Sequence, residues 1–404
     1  MRIAHLGSKG IPSKGGTERV VEAVATRHAR EHQVTVYGSA RICSTGMHRG
    51  VRVLAISAPA AKHVGPVVLQ LRAALHALTR GCYDVVHVHA SENGFIVPLL
   101  RLRYPVVTTN HGPAYEREKW GAVARRLIRA NERFSVKQAT IATAVAATQA
   151  RSLSERYRRP VEHIPNGVDA SESSASAEAL DLLERHGLRS RGYVLFAAAR
   201  VDPTKGCHTL LEACGLMQAP PAVLVVGDLY HAPGYEAQLR ELANGLPVTF
   251  VPRLDEKAVL MGLLQHCRVF VFPSTVEAMS MMLLEALAVG TVGIASDIPE
   301  NTSILPEGYP TFAAGDAAAL CRQLEGVLEW DDAARAAFIE RGREWVRTRY
   351  DWDVIAAQYE QVYRDVVEKW DSSGWRRWRR RSRRATARPS TEVRRRSQGQ
   401  HREA

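Results

Sequence analysis

Short apolar runs alternate with amphipathic stretches along most of the chain. Strand-like runs in the first half are Arg2–Gly7, Gln33–Tyr37, Val51–Ser57, Asp84–His89, Pro105–Thr109, Ile141–Ala146 and Val161–Pro165. Between them, Gly16–Glu31, Val67–Arg80 and Ala122–Gln138 carry helical periodicity. The second half repeats the rhythm with strands at Tyr193–Ala199, Val223–Val226, Val248–Pro252, Val269–Pro273 and Val292–Ser296. Its helices include Cys207–Leu216, Tyr235–Ala243, Glu256–His266 and Met281–Val289. Continuous β-branched runs flanked by helices imply parallel sheets covered on both faces. The rhythm breaks at the Ser-rich, non-periodic stretch Ser171–Ser176, which reads as a linker.

The expected fold class is therefore α/β, with two doubly wound, Rossmann-like domains facing a cleft. The expected division is residues 1–170 for the first domain, 171–191 for the linker region and 192–350 for the second domain. Residues 351–370 form a last helix that crosses back to the first domain, and 371–404 a disordered basic tail. In such sheets ligands sit beyond the carboxyl ends of the strands, so the loop after each strand is where chemistry is sought.

Composition narrows the class. The chain has 404 residues and 46% apolar content, enough for two cores. It holds no apolar run of about 18 residues that would span a membrane. The start, MRIAHLGSKG, lacks the apolar core of a signal peptide, and the six cysteines are scattered without a CxxC pair. Both point to a cytoplasmic protein with reduced thiols. The net charge of +12 sits mostly in the tail, where twelve arginines against three acids give +9. A body this close to neutral argues against a specific nucleic-acid partner.

Four loops carry candidate chemistry. The first is Pro273-Ser-Thr-Val-Glu277-Ala-Met-Ser280-Met281-Met282-Leu-Leu-Glu285. On one helix its two glutamates would stand about 80° apart. With Glu277 in the loop and Glu285 inside the helix, both turn to the cleft, and the helix start at Ser280–Met282 offers backbone N–H groups to a phosphate. The second, Arg200-Val-Asp-Pro-Thr-Lys205-Gly206, places a forked and a point cation where a diphosphate can be met. The third, Gly7-Ser-Lys-Gly10-Ile-Pro-Ser-Lys-Gly15-Gly16, lets backbone approach a ligand at a helix start. It fits neither GxGxxG nor the P-loop. The fourth, Asn110-His111-Gly112, puts an imidazole at a strand end. The plain alternatives are a loop carboxylate plus a helix-surface Glu for the first, a solvated turn with surface cations for the second, a tight connection for the third and a structural histidine for the fourth. His87 and His89 would share a strand face, yet no partner Cys or carboxylate cluster is seen, so no metal site is expected.

Together these loops resemble the family-4 retaining glycosyltransferases of the GT-B fold, over roughly residues 1–370. The shared features run in order: Gly15-Gly16, Asp84-Val-Val-His-Val-His89, Asn110-His111-Gly112, Ile164-Pro-Asn166-Gly-Val-Asp169, Arg200…Lys205-Gly206, Val226-Gly227-Asp228 and the glutamate pair. The resemblance implies that Arg200 and Lys205 bind the donor diphosphate, that Glu285 holds the ribose and that Glu277 contacts the donor sugar. His111 would flank that sugar, backbone near Arg253 and Leu254 would meet the base, and Gly227 would belong to the nucleotide site. The first domain would hold the acceptor. The family often has Gly-Phe-Gly after the first glutamate, where this chain has Ala278-Met279-Ser280. The Gly-rich start looks like a branch linked to bacterial surface-polysaccharide synthesis.

The implied function is retaining, metal-independent transfer from a nucleoside-diphosphate sugar to an acceptor sugar or lipid-linked glycan, with no cofactor. A nucleotide-sugar epimerase on the same fold and a non-enzymatic protein that binds anionic surfaces remain alternatives. A metal-using Asp-x-Asp is matched only by Asp351-Trp-Asp353, which reads as a helix cap. Arg125, Arg129, Arg133 and Lys137 recur every four residues, and the tail opens with Trp375-Arg-Arg-Trp378. They suggest a peripheral position on the inner face of the membrane, held by charge with no apolar anchor.

Overall fold

A computed structural model describes residues 1–12, 15–61, 64–112, 122–169, 176–230 and 233–372. The basic tail from residue 373 onward, Trp120 and most of the Ser-rich stretch lie outside the described residues.

The first half builds one eight-stranded sheet. Its strands are β1 (Arg2–Leu6), β2 (Gln33–Ser39), β3 (Gly46–His48), β4 (Val51–Ile56), β5 (Val85–His89), β6 (Val106–Asn110), β7 (Ile141–Ala144) and β8 (Val161–His163). They lie in the order β3-β4-β2-β1-β5-β6-β7-β8, all parallel except the β3–β4 pair. Helices α1 (Gly16–His28), α2 (Val64–Arg80), α3 (Val97–Arg101), α4 (Ala122–Gln138) and α5 (Ala147–Tyr157) connect them. β1, β5 and β6 are central and almost wholly buried, which is why they read as unbroken apolar runs rather than alternating ones.

The second half builds a six-stranded parallel sheet. It contains β9 (Tyr193–Arg200), β10 (Ala222–Asp228), β11 (Val248–Val251), β12 (Val269–Phe272), β13 (Gly293–Ser296) and β14 (Thr311–Phe312), in the order β11-β10-β9-β12-β13-β14. Its helices are α6 (Ala177–Arg185), α7 (Cys207–Gly215), α8 (Pro233–Leu242), α9 (Lys257–His266), α10 (Met281–Val289), α11 (Pro299–Thr302), α12 (Ala317–Leu328) and α13 (Asp332–Arg349). Ser176 caps α6, and Ala179, Leu182 and Leu183 of that helix belong to the second core.

The last helix, α14 (Trp352–Trp370), returns to the first half. Asp351 caps it by accepting from Asp353 N–H at 2.7 Å. Trp352, Ile355, Tyr359, Val362, Tyr363 and Val366 pack into the core between α1 and the first sheet. Two parallel-sheet domains joined by a returning helix form the α/β architecture expected from the sequence. All six cysteines are free, and only Cys82 is exposed.

Candidate active site

The carboxyl ends of both central strand sets open into one cleft of about 2020 Å³. On the wall of the second domain, β9 ends at Arg200, which is exposed and lines the cleft. A short helical turn, Pro203–Lys205, follows, and its Asp202 side chain accepts from Thr204 N–H at 3.0 Å. Gly206 then takes φ +69°, and a Cβ there would stand 2.1 Å from the Pro273 carbonyl oxygen. Only glycine permits this crossing. It draws the Lys205 loop against the Glu277 loop, where Lys205 Nζ donates to Glu277 Oε1 at 2.7 Å.

After β12 the chain runs through Glu277 to Ser280 and into α10. Ser280 is the residue before the helix, and its hydroxyl is turned inward to Asn301 rather than onto the helix N–H groups. No side chain caps that helix start, which lines the cleft at Ser280, Met281 and Met282; Met281 N–H and Leu283 N–H bond the Met279 and Ser280 carbonyls. Glu285, one turn further, also lines the cleft, with Lys257 Nζ at 3.6 Å from its Oε1. A basic loop, two carboxylates and a helix N-terminus thus share one wall.

The facing wall belongs to the first domain. Gly15 and Gly16 start α1, and the buried Glu18 carboxylate reaches back to accept from Lys9 N–H at 3.0 Å. That bond holds the glycine loop onto the helix, and a Cβ on Gly15 would strike the same carboxylate at 1.9 Å. His111 and Gly112 project from the end of β6. Burial pushes the His111 imidazole down to about 4, so it is neutral at physiological pH. A Cβ on Gly112, which has φ +124°, would come within 3.0 Å of Ala278 Cβ. The two walls meet at this point, and also where Asn166 N–H lies 3.1 Å from Met279 Sδ.

Residues 14–172 match the family described as Glycosyltransferase Family 4, and residues 181–345 match Glycosyl transferases group 1. The phosphatidyl-myo-inositol mannosyltransferase of Mycolicibacterium smegmatis is 30% identical over 300 residues, covering 72% of this chain and 73% of the relative. The chain belongs to the family-4 glycosyltransferases. An Escherichia coli UDP-Gal:alpha-D-GlcNAc-diphosphoundecaprenol alpha-1,3-galactosyltransferase is 28% identical over 251 residues, covering 57% of this chain and 62% of that protein. Among solved structures, sucrose-phosphate synthase from Thermosynechococcus elongatus matches 91% of the chain and 99% of its own, with a TM-score of 0.74 at 22% identity, a likeness of fold.

In this glycosyltransferase the cleft gathers His111, Arg200, Lys205, Glu277, Glu285, Gly15, Gly16, Ser280, Met281 and Met282. It does not gather Gly227, Arg253 or Leu254. Gly227 is buried where β10 passes β9, and a Cβ there would lie 2.2 Å from the Ala198 carbonyl oxygen. Its glycine serves close strand packing. Arg253 is exposed with Asp255 at 3.9 Å, and Leu254 packs against the second core. Sequence reasoning missed Lys257 and the tether made by Glu18. Lys257 sits three residues past Leu254 in the first position of α9, but its reach to Glu285 depends on how two distant helices pack. The sequence alone also did not show a third histidine beside His87 and His89. His5 from β1 joins His87 and His89, so that ligand atoms of all three lie within 4.8 Å of one another.

Proposed function

We propose that this glycosyltransferase moves a sugar from a nucleoside-diphosphate sugar to a lipid-linked acceptor, with retention at the anomeric carbon and without a metal ion. The observation that carries the reading is the wall formed by Arg200, Lys205, Glu277, Glu285 and the α10 start. Residues 192–350 would hold the donor and residues 1–170 the acceptor.

Each group has a physical task. Arg200 has no acidic partner among the described residues, so its guanidinium is free to fork onto a phosphate. The α10 N–H groups add positive potential at the leaving group. Lys205 is held by Glu277, which keeps the ammonium over the phosphates and leaves the second carboxylate oxygen for sugar hydroxyls. Glu285, steadied by Lys257, accepts from the ribose hydroxyls. The bond from the anomeric carbon to the phosphate oxygen breaks as the acceptor oxygen attacks the same face, and the acceptor proton passes to the departing diphosphate. No carboxylate then serves as nucleophile, and Glu277 orients the sugar.

The test is transfer assayed with a panel of nucleotide sugars, with and without EDTA. Free nucleoside diphosphate should appear only when an acceptor is present, with turnover unchanged by the chelator and the product anomer retained by NMR. Turnover abolished by EDTA and restored by a divalent ion refutes the metal-independent reading. An inverted anomer refutes the front-face reading, and diphosphate-free conversion of the donor alone would favour an epimerase.

The lipid-linked acceptor rests on the first domain's surface and on two relatives, a phosphatidyl-myo-inositol mannosyltransferase and a galactosyltransferase of a diphosphoundecaprenol-linked sugar. Arg125, Arg129, Arg133 and Lys137 are exposed along α4. The expectation of charge without apolar contact needs revision, because Leu127 and Phe134 on the same helix are also exposed. So are Val67, Leu71 and Leu75 on α2 and Leu99 on α3, and these helices pack side by side. Each cation near an anionic bilayer is worth about 1 kcal/mol, and each apolar side chain that enters the interface adds to this. No helix among the described residues is long and apolar enough to cross a membrane. The full chain should float with anionic vesicles at low salt and less so as salt rises. Changing Arg125, Arg129 and Arg133 to Glu should weaken binding on the order of 100-fold or more. Equal flotation of that variant, of a chain ending at Trp370 and of the full chain would refute the surface.

A further inference from the structure

Behind the acceptor-side wall three imidazoles form one line. His111 Nε2 lies 3.3 Å from His89 Nδ1, and His89 Nε2 lies 2.9 Å from His5 Nδ1. His5 and His89 are fully buried, and the line ends at His5 Nε2, which has no partner. Sheet register creates it. His5 pairs opposite His87 across β1 and β5, and His89, two residues on, shares the face of His87. His87 stands beside the line, not in it. Its Nδ1 meets the Tyr363 hydroxyl and its Nε2 the Thr109 hydroxyl, each at 2.7 Å. Both of its nitrogens are thus hydrogen-bonded to hydroxyls.

Burial keeps these rings neutral, with His5 pushed down to about 3 and His89 well below its usual range. A neutral imidazole has one donor and one acceptor nitrogen. Two protons or two lone pairs in one contact would repel, so each ring dictates the next. If His5 holds its proton on Nδ1, so do His89 and His111. If His5 holds it on Nε2, all three do. The nitrogen of His111 left without a protein partner among the described residues is Nδ1, on a residue that lines the cleft. It is a donor in the first state and a bare acceptor in the second.

We propose that His5 and His89 are positioning residues for donor binding: as a line they commit His111 to one tautomer and so fix whether its Nδ1 donates or accepts at the cleft. This rests on the reading of the cleft as the donor site, since a sugar hydroxyl placed there would meet one kind of nitrogen rather than a mixture. The buried, unpartnered end sets the bias: an unpaired N–H at His5 Nε2 costs more than a bare lone pair, which favours the protons on Nδ1 along the line.

The test uses the full chain labelled with ¹⁵N-histidine and read by two-bond ¹⁵N–¹H correlation at neutral pH, with His111 assigned by its loss in His111→Asn. Wild type should show His111 as one neutral tautomer. His89→Phe should turn it into a mixture. His5→Phe, which removes no atom touching His111, should also shift its tautomer ratio, and a purely structural role would not do this. A donor KM raised roughly tenfold by His5→Phe, with kcat changed far less, is the expected kinetic counterpart. His5→Phe provides the reading if His89→Phe does not fold. Mixed tautomers in wild type, or a His111 signature untouched in a folded His5→Phe, overturn the proposal. A committed tautomer that shifts in His5→Phe while donor KM stays constant upholds the line and instead refutes the placement of the donor sugar at His111.

Discussion

Arg200→Ala should lower kcat/KM on the order of 100- to 1000-fold while leaving the melting temperature nearly unchanged. The kinetic half of this expectation comes from where charge develops. When the glycosidic bond breaks, negative charge grows on the diphosphate, and a preorganised donor aimed at that charge is worth about 3–4 kcal/mol in the transition state. The guanidinium at the end of β9 is the cation on that wall with no acidic partner among the described residues. Lys205 is already tied to Glu277 at 2.7 Å and cannot move to replace it without abandoning the carboxylate. The stability half follows from exposure. Arg200 is solvent-facing, and surface substitutions of this kind stay within about ±0.5 kcal/mol. Arg200→Lys should recover only part of the loss, because an ammonium cannot reproduce the fork. Steady-state kinetics with the best donor, together with a thermal melt, separate the cases. Unchanged turnover in Arg200→Ala removes that residue from the diphosphate site. A collapse in melting temperature would mean that its role is to hold the β9 loop.

Glu277→Gln gives the complementary result through the same contact. It leaves Lys205 without its counter-charge and keeps the side-chain length, so donor KM and kcat should both worsen. If Glu277 were the nucleophile of a two-step reaction, the same substitution would remove turnover entirely.

How much of this could be read in the sequence depends on the range of the interaction behind each feature. Central strands such as β1, β5, β9 and β12 are buried on both faces, and that burial writes itself as an unbroken apolar run. β3 and β14 escaped notice because they are edge strands of three and two residues, and β3 is largely exposed. Local chain chemistry was equally readable, as in the Asp351 cap and the Glu277 loop leading into α10. Gly227, Arg253 and Leu254 follow from motif position alone, and none of the three is among the residues that line the cleft. A glycine wanted by strand packing and one wanted by a ligand look the same in a sequence. The histidine line was out of reach for another reason. It needs the register that sets His5 against His87, and residues 82 apart carry no local sign of that pairing.

Those same histidines should make the first domain acid-labile. Burial lowers His5 to about 3 and His111 to about 4, and holds His87 and His89 well below the usual imidazole range. In the unfolded chain each ring titrates near 6.5. Below that pH the unfolded state takes up protons that the native state refuses. Stability is therefore complete above about 6.5 and is lost as pH falls from there toward the folded values. Each such ring removes about 1.4 kcal/mol per pH unit once well below 6.5, so four together remove about 5 kcal/mol per unit. A domain stable by about 5–15 kcal/mol cannot sustain that slope for long, and the first domain should unfold in mild acid. All four rings lie in that domain, on β1 and β5 and just after β6, so it should melt ahead of the second as pH drops. Calorimetry at pH 7.5, 6.5 and 5.5 should show one transition falling steeply and the other moving little. Repeating the pH 6.5 scan in two buffers of different ionisation enthalpy should show net proton uptake on unfolding, with His28, His76 and His163, also lowered by burial, adding to it and the raised Glu132 and Glu162 carboxyls subtracting. A flat melting temperature across this range, or uptake below one proton, would mean that the rings are charged in the folded protein, and neither the neutral His111 nor the coupled line could then stand.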